Sequence, residues 1–233
     1  MRLYLFQMAI LPTNGIPAIS YLIQADDGTN ILVDTGFPKN FEAPSMDLRL
    51  DDRDYIVNQL AARGLTPRDI HYLVCTHFDQ DHAGGHDAFP DAELIVQRRH
   101  YELARSGTEE RFERVRARWD HPGLGYRLID GDTTLVPDVE LIETSGHVPG
   151  HQSVLVRLPQ TGPVLLAIDA VTQAGQFDAE RRESGSHDMD LDSVRRSTRK
   201  LVALAKREQA ALVVFGHDAA QWSTLKKAPD YYG

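Results

Sequence analysis

Short apolar runs rich in Val, Ile and Leu recur along the chain, each closed by turn residues. They predict strands at Leu3–Leu11, Ile19–Gln24, Ile31–Asp34, Tyr72–Cys75, Leu94–Val96, Val139–Glu143, Ser153–Leu158, Val164–Ile168 and Leu212–Phe215. Asp26-Asp27-Gly28 joins the second run to the third as a hairpin turn, since Gly accepts the positive φ that such turns need. Helical spacing takes over at Tyr55–Arg63, where Ile56 and Leu60 share a face and Gly64 stops the helix. A longer stripe of Leu191, Val194, Thr198, Leu201, Val202 and Ala205 predicts a helix over Leu191–Arg207 docked by one face. Arg195, Arg196, Arg199 and Lys200 fall largely on its other, solvated side. Arg98–Asp120 reads as helical and heavily charged, with Tyr101, Leu103, Phe112, Val115 and Trp119 as apolar positions, capping one end of the fold. Strands mixed with helices, with no repeat or linker between them, predict α/β layers in a single domain over residues 1–233.

Composition narrows the function classes. The 233 residues can bury a substantial core, and no apolar run approaches the roughly 18 to 20 residues a membrane-spanning helix requires. The start, Met1-Arg2 followed by a mixed apolar stretch, carries no small-residue cleavage signal and is expected to be a strand. A formal net charge of −9 repels phosphate backbones, so nucleic acid is not an expected partner. One cysteine excludes an internal disulfide and paired-thiolate zinc sites, and makes the reducing cytoplasm the expected compartment. Cys75, at the end of an apolar run, reads as a buried inert thiol. Ten histidines in so acidic a chain are the unusual item.

Those histidines are not scattered evenly. Thr76-His77-Phe78-Asp79-Gln80-Asp81-His82-Ala83-Gly84-Gly85 follows the apolar run Tyr72–Cys75 directly. Burying so many titratable groups costs on the order of several kcal/mol unless a metal or strong partners compensate. The same arrangement recurs: Val139–Glu143 leads to His147, Val164–Ile168 ends at Asp169, and Leu212–Phe215 leads through Gly216 to His217. Taken singly, each is an ordinary polar turn; together, four strand ends can bring His77, Asp79, Asp81, His82, His147, Asp169 and His217 to one face. Imidazole and carboxylate without thiolate suit Zn, Fe, Mn or Co, and seven such ligands are enough for two divalent ions sharing a bridging carboxylate. His71, His86, His100, His121 and His187 have no ligand-like partners at useful spacing and read as surface or loop residues.

The run His77-x-Asp79-x-Asp81-His82 with Gly84-Gly85, then Gly146-His147-Val148-Pro149-Gly150-His151, Asp169 and Gly216-His217, resembles the metallo-β-lactamase superfamily. Leu32-Val33-Asp34-Thr35-Gly36 is similar to the superfamily's turn after its N-terminal hairpin, and the likeness spans roughly residues 19 to 218. Ser145 to Ser153 looks most like the N-acyl-homoserine lactonase family of quorum-quenching enzymes. The resemblance implies a four-layer αββα sandwich with a dinuclear site at one edge. By position, His77, Asp79 and His147 would hold the first metal, Asp81, His82 and His217 the second, and Asp169 would bridge them. Asp34 and His151 would support these ligands from behind, although Asp34 can also simply cap its turn and His151 can be a hydrogen-bonded wall residue.

Two departures stand out. The superfamily pattern has a histidine where this chain has Asp79, and a carboxylate there favours Fe, Mn or Co or weakens zinc; were Asp79 not a ligand, a single metal would remain. Homoserine lactonases often carry a tyrosine three residues after the bridging aspartate, where this chain has Thr172 with a much shorter reach. Either another donor such as Tyr126 takes its place, or the substrate differs. The loop Phe37–Leu50, with Phe37, Phe41, Met46 and Leu48, is more apolar than a solvated loop requires and is read as a substrate flap or a homodimer contact.

The implied reaction is hydrolysis of a small lactone or ester. Two ions roughly 3.5 to 4 Å apart lower the pKa of a bridging water, giving a hydroxide that attacks the carbonyl. Asp81 would shuttle the proton and Thr172 would stand near the substrate. No Gly-x-Ser-x-Gly elbow is present to supply a protein nucleophile. A thioesterase like glyoxalase II or a phosphodiesterase is the alternative on the same scaffold. A metal-binding redox or sensor protein is a third class, but it would want a flavin or sulfur-cluster domain that this chain lacks room and cysteines for.

Overall fold

Period-two alternation sets the layers. In the first strand Leu3 and Leu5 point to one side while Tyr4, Phe6 and Met8 point to the other, and all five are buried. A strand buried on both faces must lie between two layers. In the computed structural model, which describes residues 1–44 and 47–233, the strands are β1 (Arg2–Ile10), β2 (Pro17–Gln24), β3 (Asn30–Val33), β4 (Glu42–Ala43), β5 (Leu48–Arg49), β6 (Tyr72–Val74), β7 (Glu93–Gln97), β8 (Tyr126–Ile129), β9 (Thr133–Val136), β10 (Val139–Glu143), β11 (Gln152–Leu158), β12 (Gly162–Ile168) and β13 (Leu212–Phe215). One sheet runs β1-β2-β3-β6-β7-β8 and the other β13-β12-β11-β10-β9, with β4 and β5 forming a small separate hairpin.

The two sheets pack face to face. Leu3, Leu5, Tyr21, Ile23, Val33 and Val74 from the first meet Leu141, Val154, Val156, Leu166 and Val214 from the second. The outer face of the first sheet, with Phe6, Leu22, Leu32 and Leu73, takes α1 (Ile56–Ala61) through Ile56 and Leu60. The outer face of the second, with Ile142, Leu155, Leu165 and Ala167, takes α5 (Leu191–Arg207) through Leu201 and Leu204. The layers are therefore αββα, as expected from the sequence. Asp190 caps α5 by accepting hydrogen bonds from the backbone of Asp192 and Ser193. Among the described residues no helix is long and apolar enough to cross a membrane.

The stretch read as helical is helical, but divided. Arg98–Asp120 is not one helix but three: α2 (Arg98–Ser106), α3 (Glu110–Glu113) and α4 (Arg116–Trp119). Gly107 at φ 71° ends α2, and Val115 at φ −123° separates α3 from α4. Composition disguises the break, since charged helix formers run through all three pieces. The strands β8 and β9 and the β4–β5 hairpin are also additions to the sequence reading.

Strand direction decides where the chemistry falls. β3 and β6 run parallel, as do β12 and β13, and two antiparallel pairings through β11 bring β10 into the direction of β12. Their C-terminal ends open on one edge of the sandwich, followed by Asp34, His77, His147, Asp169 and His217. Gly146 makes one of these exits work: at φ 143°, any Cβ would lie 2.4 Å from the Val194 backbone nitrogen in α5. Gly146→Ala is thus expected to cost about 2 kcal/mol or more, from backbone strain together with the clash. Urea unfolding checks it against Gly175→Ala, at a glycine with open space around it, which should be nearly neutral. Equal stability of the two variants would contradict this account.

Candidate metal centre

Beyond β6 the chain turns through His77, Asp79, Asp81 and His82. His77 and His82 are held by their far nitrogens. The Thr76 hydroxyl donates to Asp34 Oδ2 at 2.7 Å and accepts from His77 Nδ1 at 3.0 Å. His82 Nδ1 donates to the same Asp34 Oδ2 at 2.8 Å, while Asp34 Oδ1 accepts from the Thr76 backbone at 2.9 Å. Asp34 is fully buried with φ 58°, at the end of β3. His147 Nδ1 donates to Asp188 Oδ1 at 3.1 Å, and His217 Nδ1 donates to the Pro17 carbonyl at 2.7 Å. All four rings are thereby fixed in orientation, with Nε2 turned toward the same space.

Asp169 sits among those nitrogens. Its Oδ2 lies 3.1 Å from His217 Nε2, 3.5 Å from His147 Nε2 and 3.9 Å from His77 Nε2, and its Oδ1 lies 3.7 Å from His82 Nε2. Asp81 Oδ2 is 3.7 Å from His82 Nε2 and 3.8 Å from His217 Nε2. The donor atoms form two groups, His77, His147 and Asp169 in one and Asp81, His82 and His217 in the other, with atoms within 4.8 Å of one another. Asp79 Oδ2 stands 3.3 Å from both His77 Nε2 and His147 Nε2, beside the first group. The seven residues singled out in the sequence are thus brought to one place.

The donor set fits divalent cations. His77 Nε2, His82 Nε2 and Asp169 Oδ1 are buried without a hydrogen-bond partner, an arrangement that polar atoms avoid unless something charged completes it. The field at the cluster is cation-seeking. Burial opposes charge on His217, yet Asp169 and Asp81 lift it to about 9; on His82, Asp81, Asp169 and Asp34 outweigh burial and lift it to about 10. Asp169 is held well below the usual carboxylate range: burial resists this, but His217 and His82 prevail.

Around the centre lies a cavity of about 500 Å³, whose lining includes the apolar Leu11, Ile16 and Phe37 as well as Arg111, Arg182 and His187. Phe37 stacks on Phe41 at 4.6 Å, and Leu48 is buried in the same apolar cluster as Phe37; Met46 lies outside the described residues. Thr172 lines the cavity, but its hydroxyl donates to Gln176 Oε1 at 2.8 Å. Tyr126 is a correction: its hydroxyl donates to the Trp119 carbonyl at 2.9 Å and contacts His86, because β8 turns it beneath α4 rather than toward the cavity. His151 does not line the cavity but is fully buried behind Asp169; its Nε2 accepts from the Asp169 backbone at 3.3 Å and its Nδ1 donates to Thr144 Oγ1 at 2.9 Å.

Three contributors escape the sequence reading. Arg111 on α3 forks onto Asp79, and Asp188 backs His147. His100, read as a surface residue, is fully buried: Nε2 accepts from the Phe78 backbone at 2.9 Å and Nδ1 donates to the Pro149 carbonyl at 3.0 Å, tying two ligand-bearing loops together. Only Asp79 itself hinted at any of these, since a buried carboxylate in an imidazole's place needs a cation. Nothing in the spacing points to residue 111. His86, also read as surface, is fully buried beside Tyr126.

The buried histidines outside the cluster give a pH signature. Burial, reinforced by His82, holds His86 at about 3, and burial holds His100 at about 4 against the pull of Asp79. Both rings are neutral in the fold and take up protons on unfolding below the ordinary histidine value of 6.5. Stability therefore falls as pH drops from about 6.5 toward 4. Between pH 7 and pH 5, His86→Phe should lose less stability than the wild type by on the order of 2 kcal/mol, read from urea melts. Identical losses would show that His86 is not held neutral.

Comparison with known proteins places this architecture. Residues 14–217 match the family model described as the metallo-beta-lactamase superfamily. An N-acyl homoserine lactonase of Bacillus sp is 36% identical over 227 residues, covering 93% of this chain and 87% of that protein. An N-acyl homoserine lactonase AttM of Azorhizobium caulinodans is 40% identical over 185 residues, covering 76% and 68%. Among solved structures, an N-acyl homoserine lactone hydrolase with the product N-hexanoyl-L-homoserine bound at its catalytic metal centre superposes with a TM-score of 0.83 at 30% identity, covering 99% of this chain and 98% of that one. A quorum-quenching N-acyl homoserine lactone lactonase superposes at 0.86 with 32% identity and the same coverage.

Proposed function

The chain belongs to the metallo-beta-lactamase superfamily and, within it, to the N-acyl homoserine lactonases, and we propose that it opens the ring of an N-acyl homoserine lactone or a related small lactone. The observation that carries this reading is the convergence of four Nε2 atoms and the Asp169 carboxylate beside a cavity partly walled by apolar side chains. In a quorum-quenching role the same step would remove an acyl-lactone signal.

The donor groups would hold two divalent ions, one at His77, His147 and Asp169 beside Asp79, and one at Asp81, His82 and His217, with Asp169 shared. Such ions supply Lewis acidity toward a carbonyl oxygen and toward water at neutral pH. The residues of the chain do the rest. Leu11, Ile16 and Phe37 form the apolar wall against which an acyl chain would lie, expelling water from the reacting carbonyl. Asp81, about a quarter exposed, is the carboxylate placed to take up the proton released when water adds and to return it to the ring oxygen as the C–O bond breaks. The alkoxide remains tethered, so the product is a hydroxy acid. Asp34, Asp188 and the Pro17 carbonyl hold the rings so that Nε2 need not reorganise during the reaction. With its hydroxyl engaged by Gln176, Thr172 acts as a wall of the cavity until that bond is exchanged.

A panel of lactones, thioesters and phosphodiesters tests the substrate class, with ring opening followed by proton release. Lactone turnover should exceed the others, should vanish on chelation and should return when a divalent metal is restored. Thioester turnover above lactone turnover at matched concentration would move the chain to a glyoxalase II-like activity. Asp169→Ala should lower kcat/KM by a factor of about 10³ or more while circular dichroism stays unchanged; near-normal turnover would remove Asp169 from the centre.

A further inference from the structure

The two donor groups are not equivalent, because one already has a cation. Arg111 Nε donates to Asp79 Oδ1 at 2.7 Å, and Nη2 donates to Asp79 Oδ2. The same Nη2 reaches His147 Nε2 at 3.0 Å, which is the nitrogen this ring would offer to a metal. Nη1 donates to the His187 carbonyl at 2.7 Å, in the loop that also provides Asp188 to the far side of His147. The guanidinium is therefore partly buried, forked onto the carboxylate that replaces an imidazole, and seated against the first donor group. No comparable contact is made at the other group, where Asp81, His82 and His217 meet only Asp169, Asp34 and the Pro17 carbonyl among the described residues.

We propose that Arg111 is the resident cation of the first position and competes with metal there, so that the centre loads one divalent ion tightly and the second only as the guanidinium is displaced. This rests on the metal-dependent reading above and concerns only the order and strength of loading. The physical basis is charge and geometry. A bidentate guanidinium–carboxylate pair is the strongest ion pair available to side chains, and in a partly buried site it is weakly screened. An ion entering beside His77, His147 and Asp79 must break that fork, give up the attraction of Asp79 to Arg111, and tolerate a fixed positive charge nearby. At the Asp81, His82 and His217 position no guanidinium stands in the way of an incoming ion. Displacing Arg111 also frees the His187 carbonyl, so loading the first position should loosen the loop around residues 185–188.

Titration of the metal-free protein with Co²⁺, followed by calorimetry and by the visible absorbance of the bound ion, reads this without any activity assay. The wild type should take up one equivalent tightly and a second at least tenfold more weakly. Arg111→Met, which keeps the apolar stem and removes the charge, should tighten the second step tenfold or more and leave the first unchanged. Arg114→Met, at another arginine of the same cavity, should leave both steps as in the wild type. The double variant Asp79→His with Arg111→Met restores an imidazole at the first position and should load both ions with similar affinity. It also keeps the test decisive if Arg111→Met alone fails to fold. Two equivalents binding with equal affinity in the wild type would overturn the proposal, as would equal tightening by Arg114→Met and Arg111→Met. Uptake of no ion by any of these proteins would instead refute the metal-dependent reading itself.

Discussion

A carboxylate buried between two sheets has to be met by positive charge, and Asp169 is where this fold meets that requirement. It leaves β12 of one sheet and lies among nitrogens supplied by both: His77 and His82 follow β6 of the other sheet, while His147 and His217 follow β10 and β13 of its own. Removing water from such a group costs several kcal/mol, recovered only when partners are placed well and are themselves anchored. The anchoring is visible one bond further out. Every one of the four rings gives its Nδ1 hydrogen to an oxygen of the protein, and these oxygens come from β3's turn, the start of β2, the segment before α5 and the hydroxyl of Thr76. The centre is thus where the sandwich is tied at its open edge, and the packing of the two sheets and the orientation of the ligands depend on each other.

This interdependence explains which parts were legible in the sequence. Residues that follow a strand directly inherit their position from the strand, so the apolar runs located His77, His147, Asp169 and His217 together with the sheets. Parallel neighbours point their C-terminal ends the same way, which turns a list of strand ends into a site. Arg111, Asp188 and His100 arrive by another route. They lie on a short helix, in a loop and within α2, and reach the centre only because packing against β7, β8 and α5 folds those segments over it. Such placement carries no local periodicity. Tyr126 shows the opposite error: a hydroxyl-bearing residue was a reasonable substitute for an absent tyrosine, but strand β8 pairs with β7 and commits the ring to the cluster of Phe78, Trp119 and Tyr101.

The departure at Asp79 meets the same demand for positive charge around a buried carboxylate. The resemblance places a neutral imidazole there, whereas this chain has a carboxylate with Arg111 forked onto it. In charge the exchange nearly cancels, since a negative and a positive group together stand in for a neutral one. Around the pair, His77 and His147 each lie 3.3 Å from Asp79, and Asp169 contacts nitrogens of both donor groups. The balance is kept at the level of the whole cluster but not at each position. A neutral imidazole would add a ligand; under the proposed loading order the ion pair would add a ligand and a competitor together. Because the competitor also holds the His187 carbonyl, and the neighbouring Asp188 orients His147, its position is coupled to the cavity wall that a substrate would touch. A single replacement in a ligand motif therefore reaches beyond metal preference, to the segment that forms one side of the cavity.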